Sequence, residues 1–447
     1  MRKLVGIVCA AAGITVAAVM VACGSSGQTC TGAGCDLLNG DGKNGSSGDH
    51  PGGSGTGVKP PGTPPGDPNK PAVCSNGLHT TLKGKVYDPA GANPLYGVSV
   101  YVPSGALAPL ATGAACDACG EITPPPVAST RTDSNGEFEL TDVPNGTAVS
   151  VVVQSGKWRR KIEVAVPNKC AENTVADHTL RLPKNGTEGD MPQIAVTAGG
   201  CDALECLLRG IGVDDAEFVA GANPKGHIHV FAGEGGKGVP GSPSASTSLW
   251  NDVTNMTPYD SVLLSCECSE YNENKGGNTT KPLSSAVHDY TEAGGRLIAT
   301  HYHYTWLKNS VAADFQGIAS WGGAAGGSDT YDVDMSTPTG SAFAQWLLGV
   351  NASMSLGKVQ LTDVTDSLKS INPPAQPWIG QNASPRVFSF ETPIGGPACG
   401  RFAFTDLHMS GISSGGQTFP TGCPAAGGLS AQQKALEFML FELSSCK

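Results

Sequence analysis

The sequence predicts a multi-domain chain: a β-sandwich followed by an α/β parallel-sheet module, carried on a long tether. Three observations predict it. Residues 24–72 are Gly, Ser, Pro, Asn, Asp and Thr with hardly an apolar side chain, and such a segment cannot bury enough surface to fold. Residues 78–182 read as short alternating strands separated by turn residues. From Met191 onward strands alternate with helices, the pattern of a parallel sheet covered on both faces.

At the N-terminus, Met1-Arg2-Lys3 and the apolar run Leu4 to Ala22 have the form of a secretory signal, a single membrane-spanning anchor being the alternative. Met20-Val21-Ala22-Cys23, followed by Gly24-Ser25, resembles the lipobox of bacterial lipoproteins. The resemblance implies that residues 1–22 are a signal peptide and that Cys23 is lipidated and becomes the new N-terminus. The chain would then meet the membrane through a lipid anchor. Gly24 after the cysteine implies the outer membrane of a Gram-negative cell envelope. Residues 23–73 would be the tether, and roughly 50 residues of flexible coil span about 40 Å.

Fifteen cysteines fit an oxidising compartment. Cys30 and Cys35 are expected to close a small loop in the tether. Cys74, Cys116, Cys119 and Cys170 form a second group, and the seven from Cys201 onward leave one thiol unpaired or paired outside its group. Cys116-Asp117-Ala118-Cys119 has the spacing of a redox or zinc pair, but a second such pair is missing and a structural disulfide is the expectation. A formal charge of −11 argues against a nucleic-acid partner. The one dense basic stretch, Lys157-Trp158-Arg159-Arg160-Lys161, lies between two apolar strand candidates and is expected at a solvated hairpin end.

Within residues 74–184, Leu82 to Tyr87 runs into the turn Asp88-Pro89-Ala90-Gly91, and Val98, Val100 and Val102 share one face. Thr132 to Gly136 makes a hairpin turn, and Val149 to Gln154 is expected to pair with Lys161 to Val166. Gly84-x-Val86, Pro94-Leu95-x-Gly97-Val98, Thr132-Asp133-x-Asn135-Gly136-x-Phe138 and Val143-Pro144-x-Gly146 resemble the carboxypeptidase regulatory-like domain. The resemblance implies a small seven- or eight-stranded β-sandwich acting as a spacer or binding module. The insertion Ser104 to Thr130 departs from it. His79 and His178 are isolated and read as surface residues.

Residues 191–447 carry the chemistry. Strand candidates are Gln193 to Thr197, Glu217 to Ala220 or His227 to Phe231, Ser261 to Ser265, Leu297 to Thr300, Arg386 to Phe390 and Gly400 to Thr405. Helix candidates are Asp202 to Arg209, Leu283 to Ala293 and Ser430 to Ser444. The strand Tyr259 to Leu264, the helix ending in Ala293-Gly294-Gly295, the strand ending in Ala299-Thr300-His301, and Gly400-Arg401-Phe402-Ala403-Phe404-Thr405-Asp406-Leu407-His408 follow in a telling order. That order resembles the class I glutamine amidotransferase-like superfamily, and most of all its trehalose-utilisation (ThuA-like) branch. The resemblance implies a flavodoxin-like parallel sheet, a nucleophile on the strand-to-helix turn after the glycine pair, and a histidine from the late Gly-Arg…His element.

This chain departs from that pattern where it matters. At the turn stands Ala299-Thr300-His301-Tyr302-His303, with no cysteine and with bulky residues where the strained turn wants glycine. Cys266 and Cys268 end the preceding strand instead, so glutaminase chemistry is expected to be absent.

Ligands of open α/β sheets bind at the carboxyl ends of the strands. There His301 and His303 are expected to point the same way, with Asp406, His408 and Glu267 nearby, a set that suits a divalent metal held by His301, His303 and His408. A metal-free acid/base pair of His408 with Asp406 or Glu267, and a site that only binds a ligand, remain open beside it. His227-Ile228-His229 is expected at the opposite rim. Tyr302, Tyr304 and Trp306 offer faces for a sugar ring or pack in the core. Three functions follow as expectations: an envelope protein binding a ligand, carbohydrate among them; a hydrolase or isomerase using the histidines and carboxylates; or a structural envelope protein.

Overall fold

Glu137–Thr141 alternates buried and exposed residues along its whole length, because it has one face on a core and one in water. The computed structural model describes residues 70–71, 73–116, 122, 124–277, 282–322, 326–409 and 417–444. Cys23, Cys30, Cys35, Cys119 and the signal segment lie outside the described residues. Within them, no helix is long and apolar enough to cross a membrane.

The first eight strands are β1 (Thr81–Tyr87), β2 (Ser99–Val102), β3 (Ala128–Arg131), β4 (Glu137–Thr141), β5 (Gly146–Ser155), β6 (Trp158–Val166), β7 (Glu172–Thr174) and β8 (Leu180–Arg181). One sheet runs β4-β1-β7 with β8 also on β1, and a second runs β3-β2-β5-β6. The first puts Leu82, Val86, Phe138 and Leu140, and the second Val100, Val102, Val151 and Val153, into the same core. The expected pairing of Val149–Gln154 with Lys161–Val166 is seen in the antiparallel pair β5–β6, where Val152 faces Lys161.

The rest of the chain builds a ten-stranded sheet and one further pair. Its strands are β9 (Ile194–Ala198), β10 (Phe218–Ala220), β11 (Ile228–Ala232), β12 (Ser261–Leu264), β13 (Arg296–Thr300), β14 (Ala319–Trp321), β15 (Gly327–Val333), β16 (Lys358–Val364), β17 (Leu368–Ile371), β18 (Gln376–Gln381), β19 (Ser384–Thr392) and β20 (Gly400–Thr405). The order is β10-β11-β9-β12-β13-β20-β19-β18-β15-β16, with β14 and β17 paired apart. The six strands from β10 to β20 are mutually parallel, and β9, β12 and β20 are buried at every residue, as covered parallel strands are. Beyond β20 the sheet turns antiparallel. That half corrects the expectation of a wholly parallel sheet. It comes from residues 319–392, where only Arg386 to Phe390 was expected as a strand and β15 to β18 are separated by short connections without the helices a parallel sheet needs, apart from Pro338–Gly349.

The final helix, Ala431–Ser444, is buried along most of its length because it lies between the two parts. Phe438 stacks on Tyr96 and Phe441 meets Trp158 edge-on. Trp346 Nε1 donates to the Pro94 carbonyl at 2.5 Å. The basic stretch expected in solvent belongs to this contact from Lys157 to Arg159, whereas Lys161 is exposed. Trp158 is fully buried, Arg159 pairs with Asp190 at 2.8 Å, and Lys157 pairs with the buried Asp260 at 2.6 Å. The expected pairing of Cys116 with Cys119 is also corrected, since Cys116 is bonded to Cys399. Cys74–Cys170, Cys201–Cys268 and Cys206–Cys423 are further disulfides, and Cys266 is a free thiol.

Two carboxyls meet in this contact. Asp88, in the turn after β1, accepts the Ala92 N–H at 2.7 Å, and Asn93 Nδ2 donates to Glu437 Oε2 at 2.7 Å. Burial pushes Asp88 up to about 6, and burial together with the charge of Asp88 pushes Glu437 well above its ordinary value, with Lys434 the cation facing them. The folded state therefore holds these protons more tightly than the unfolded chain. Their contribution to stability is complete below about pH 4 and is lost as pH rises through 6 and beyond. Denaturant unfolding should show a loss on the order of 2–3 kcal/mol between acid and neutral pH, flattened in Asp88→Asn, which should be the more stable protein at pH 8. Equal pH slopes in the two proteins would refute the shared burial.

Candidate functional site at the carboxyl ends of the parallel strands

Strand β13 ends at Thr300, and the chain then bends sharply. His301 takes a left-handed backbone (φ 40°) and opens the 3-10 turn His301–Tyr304, which runs into the helix Thr305–Lys308. A non-glycine residue held there costs on the order of 1–3 kcal/mol and persists only where its surroundings fix it. The bend exists, then, with a histidine at its apex.

The surroundings that fix it are hydrogen bonds between strand ends. The Cys266 N–H donates to Thr300 Oγ1 at 2.8 Å, and Thr300 Oγ1 donates to Asp202 Oδ2 at 2.8 Å. Asp202 Oδ1 accepts from the N–H of Ala203 at 2.8 Å and of Met409 at 2.9 Å. Asp202 is buried. Gly199, just before it, admits no side chain, because a Cβ would lie 2.1 Å from the Cys266 carbonyl oxygen. The Cys201–Cys268 disulfide clamps the loops after β9 and β12 on either side.

These bonds assemble three side chains. Cys266 Sγ lies 3.5 Å from His301 Nδ1, and the rings of His301 and His408 are 5.2 Å apart. One donor atom from each of Cys266, His301 and His408 falls within 4.8 Å of the others. Burial pushes the Cys266 thiol up to about 12, against the pull of the Tyr302 and Cys268 backbone. Burial, then the neighbouring His408, pushes His301 down to about 3, so its imidazole is neutral. Cys266, expected to stand apart on the preceding strand, thus brings a thiol beside these histidines. It comes from the strand beside the bend, and the β12–β13 register, Leu264 opposite Ala299, continued by two residues sets Cys266 beside His301.

The other expected site residues go elsewhere. His303 is buried, donates from Nε2 to the Ser265 carbonyl at 3.0 Å and accepts the Trp306 indole N–H at 3.2 Å. The bend, in place of an extended end, turns it away from His301. Asp406 is buried and accepts from Thr365 Oγ1, Ser367 Oγ and the Leu368 N–H, so it anchors the segment before β17. Glu267 accepts from Lys275 Nζ at 2.5 Å and from the Glu234 N–H at 2.7 Å, fully enclosed. His227 pairs with Glu217 and His229 with the Tyr259 hydroxyl and Gly226 carbonyl, at the start of β11 as expected.

Trp306 is buried against Trp250 and presents no face to solvent. Tyr302 and Tyr304 remain half-buried, and Trp321 of β14 takes the third place. The rings run in a rank: Tyr302 at 4.1 Å from His301, Tyr304 at 6.1 Å from Tyr302, and Trp321 stacked on Tyr304 at 4.8 Å. Polar groups border it. Tyr304 Oη and Lys308 Nζ donate to Glu270 Oε1 at 2.6 and 2.7 Å. Burial pulls the Glu270 carboxyl up, but hydrogen bonds from Lys308, Tyr304 and Asn272 outweigh it and hold it at about 2. Asp202 and Trp321 were missed from sequence. The double glycine before Asp202 signals a tight approach, whereas nothing local marks Trp321.

Comparison with known proteins adds little to this geometry. No family model matches the chain and no curated protein matches it. Among solved structures, a GMP synthase-like protein from Thermoplasma acidophilum is 8% identical over 57% of this chain and 94% of its own, at a TM-score of 0.29. A glutamine amidotransferase from Methylobacillus flagellatus is 10% identical over 56% and 94%, at 0.30. A cytoplasmic protein from Salmonella typhimurium is 12% identical over 57% and 100%, at 0.31. Likenesses so slight say nothing of what this chain binds. What its own residues define is a mixed α/β protein with a thiol and two imidazoles at the carboxyl edge of its parallel strands.

The buried Glu267–Lys275 pair offers a direct test of how this edge is held. Lys275→Met alone should cost about 3–5 kcal/mol in urea unfolding, because it strands a buried carboxylate. Adding Glu267→Gln should recover most of that loss; losses that simply add would show the pair is not enclosed.

Proposed function

We propose that this chain is an exported, lipid-anchored envelope protein whose α/β module binds a carbohydrate beside the bend at His301, and that it does not transfer amide nitrogen. The signal-like start, Cys23 and the tether support the anchored part of the reading. The four disulfides among the described residues agree with an oxidising compartment. The observation that carries the ligand is the rank of half-buried rings, Tyr302, Tyr304 and Trp321, bordered by Glu270 and Lys308. Flat apolar faces flanked by fixed hydrogen-bonding groups suit the alternating C–H and O–H surfaces of a sugar ring.

Against amide transfer stand the imidazole at the apex of the bend and the burial of the one nearby thiol, which keeps it protonated at neutral pH. The detergent-solubilised full chain should retain defined glycans on an array. Trp321→Ala should weaken the best of them about tenfold by calorimetry, the loss of roughly 1.4 kcal/mol of ring contact. Absence of any bound glycan, or affinity unchanged in both Trp321→Ala and Tyr302→Ala, would overturn the reading.

A further inference from the structure

Cys266, His301 and His408 bring one sulfur and two ring nitrogens to within 4.8 Å of one another. Three facts set them apart from an ordinary packed cluster. His408 Nε2 is shut off from solvent and has no hydrogen-bond partner among the described residues, and a buried polar atom left unpaired calls for a reason. The Sγ–Nδ1 separation of 3.5 Å is close to the ~3.6 Å between sulfur and nitrogen ligands of a tetrahedral zinc ion with bonds of ~2.3 and ~2.05 Å. Cys266 also keeps its thiol while Cys268, two residues on, is oxidised with Cys201.

We propose that Cys266, His301 and His408 bind one borderline transition-metal ion, Zn²⁺ foremost, with a fourth position open. One thiolate and two neutral imidazoles suit zinc and copper and do not suit magnesium or calcium, which take oxygen. The nearby carboxylates are committed: Asp202 to Thr300 and Met409, Glu267 to Lys275, Asp406 to Ser367 and Thr365. The protein ligand set is therefore two nitrogens and one sulfur. On binding, the S–H bond of Cys266 is replaced by a sulfur–metal bond and the proton leaves to solvent, one per ion, so uptake weakens as pH falls. The site goes beyond the carbohydrate reading and stands without it, since the aromatic rank makes none of the metal bonds.

The test uses the full chain, stripped with a chelator and titrated with Co²⁺ as a spectroscopic stand-in for Zn²⁺. One cobalt per chain should bind with a thiolate-to-cobalt charge-transfer band in the near ultraviolet, displaced by Zn²⁺. Cys266→Ser should abolish the band, and His408→Gln should keep it while weakening Zn²⁺ at least about tenfold. Circular dichroism and melting of both variants establish that they are folded. If Cys266→Ser does not fold, the partly exposed His408→Gln decides alone. Cobalt uptake without the band, or Zn²⁺ affinity unchanged in His408→Gln, would overturn the proposal. Glycan binding by the same samples reads the other proposal separately.

Discussion

The buried carboxylate of Asp202 is the constraint on which the strand-end site depends. It stands beyond β9, takes the Thr300 hydroxyl from the end of β13 and the Met409 N–H from beyond β20, and through Thr300 holds the Cys266 N–H beyond β12. Four strand ends are tied in one relay. Each of Cys266, His301 and His408 is in that relay or adjacent in sequence to a member of it. A carboxylate at such a place gives rigidity because every bond to it is short, charge-assisted and out of water. The side chains gathered around the bend are thus placed by backbone, and their positions do not rely on contacts among themselves.

The same logic extends outward to the N-terminal sheets. Asp260, directly before β12, accepts from Lys157, from the Gly113 N–H and from the Gln193 N–H, so one carboxylate joins the β5–β6 hairpin to the starts of β9 and β12. Cys116–Cys399 adds a covalent tie close to the start of β20. The final helix fills the space between, with Phe438 and Phe441 packed on Tyr96 and Trp158. A spacer with no contact to the α/β part would not need a fully buried tryptophan and an ion pair to the buried Asp260 at its border. These sheets brace the parallel strands from their amino ends, opposite the edge where the site lies.

Much of this was legible in the sequence because parallel strands buried on both faces are short unbroken apolar runs. Ile194–Ala198, Arg296–Thr300 and Gly400–Thr405 stand out for that reason, and all lie where expected within a residue or two. The site was legible only in its neighbourhood. Chain order places Cys266 and His301 thirty-five residues apart on different elements, and only the register between β12 and β13 makes them neighbours, at the ~4.8 Å spacing of adjacent strands. His303 failed for a different reason. An alternation of two assumes an extended chain, and the bend replaces it with a helical turn that sends the second imidazole into the core. Of the antiparallel half only β19 was legible, as Arg386 to Phe390; β14, β17 and β18 are short and carry little period, and the alternation in β16 was missed.

The bend also explains why bulky residues stand where a strained turn favours glycine. Small neighbours relieve crowding when nothing else supports the turn. Here the large side chains are the support: His303 donates to the Ser265 carbonyl, Trp306 donates to His303, and Thr305 Oγ1 donates to Asn272 at 2.5 Å. Each bond runs from the turn to the loop after β12 or to the turn itself, so the aromatic run pins the left-handed residue from below while Thr300 and Asp202 pin it from the strand side. The strain at His301 is met by packing that a glycine-flanked turn would lack, and that packing leaves one imidazole facing the thiol and the other enclosed. An elbow built this way fixes a neutral imidazole at its apex, the protonation state in which a histidine nitrogen can ligate a borderline cation.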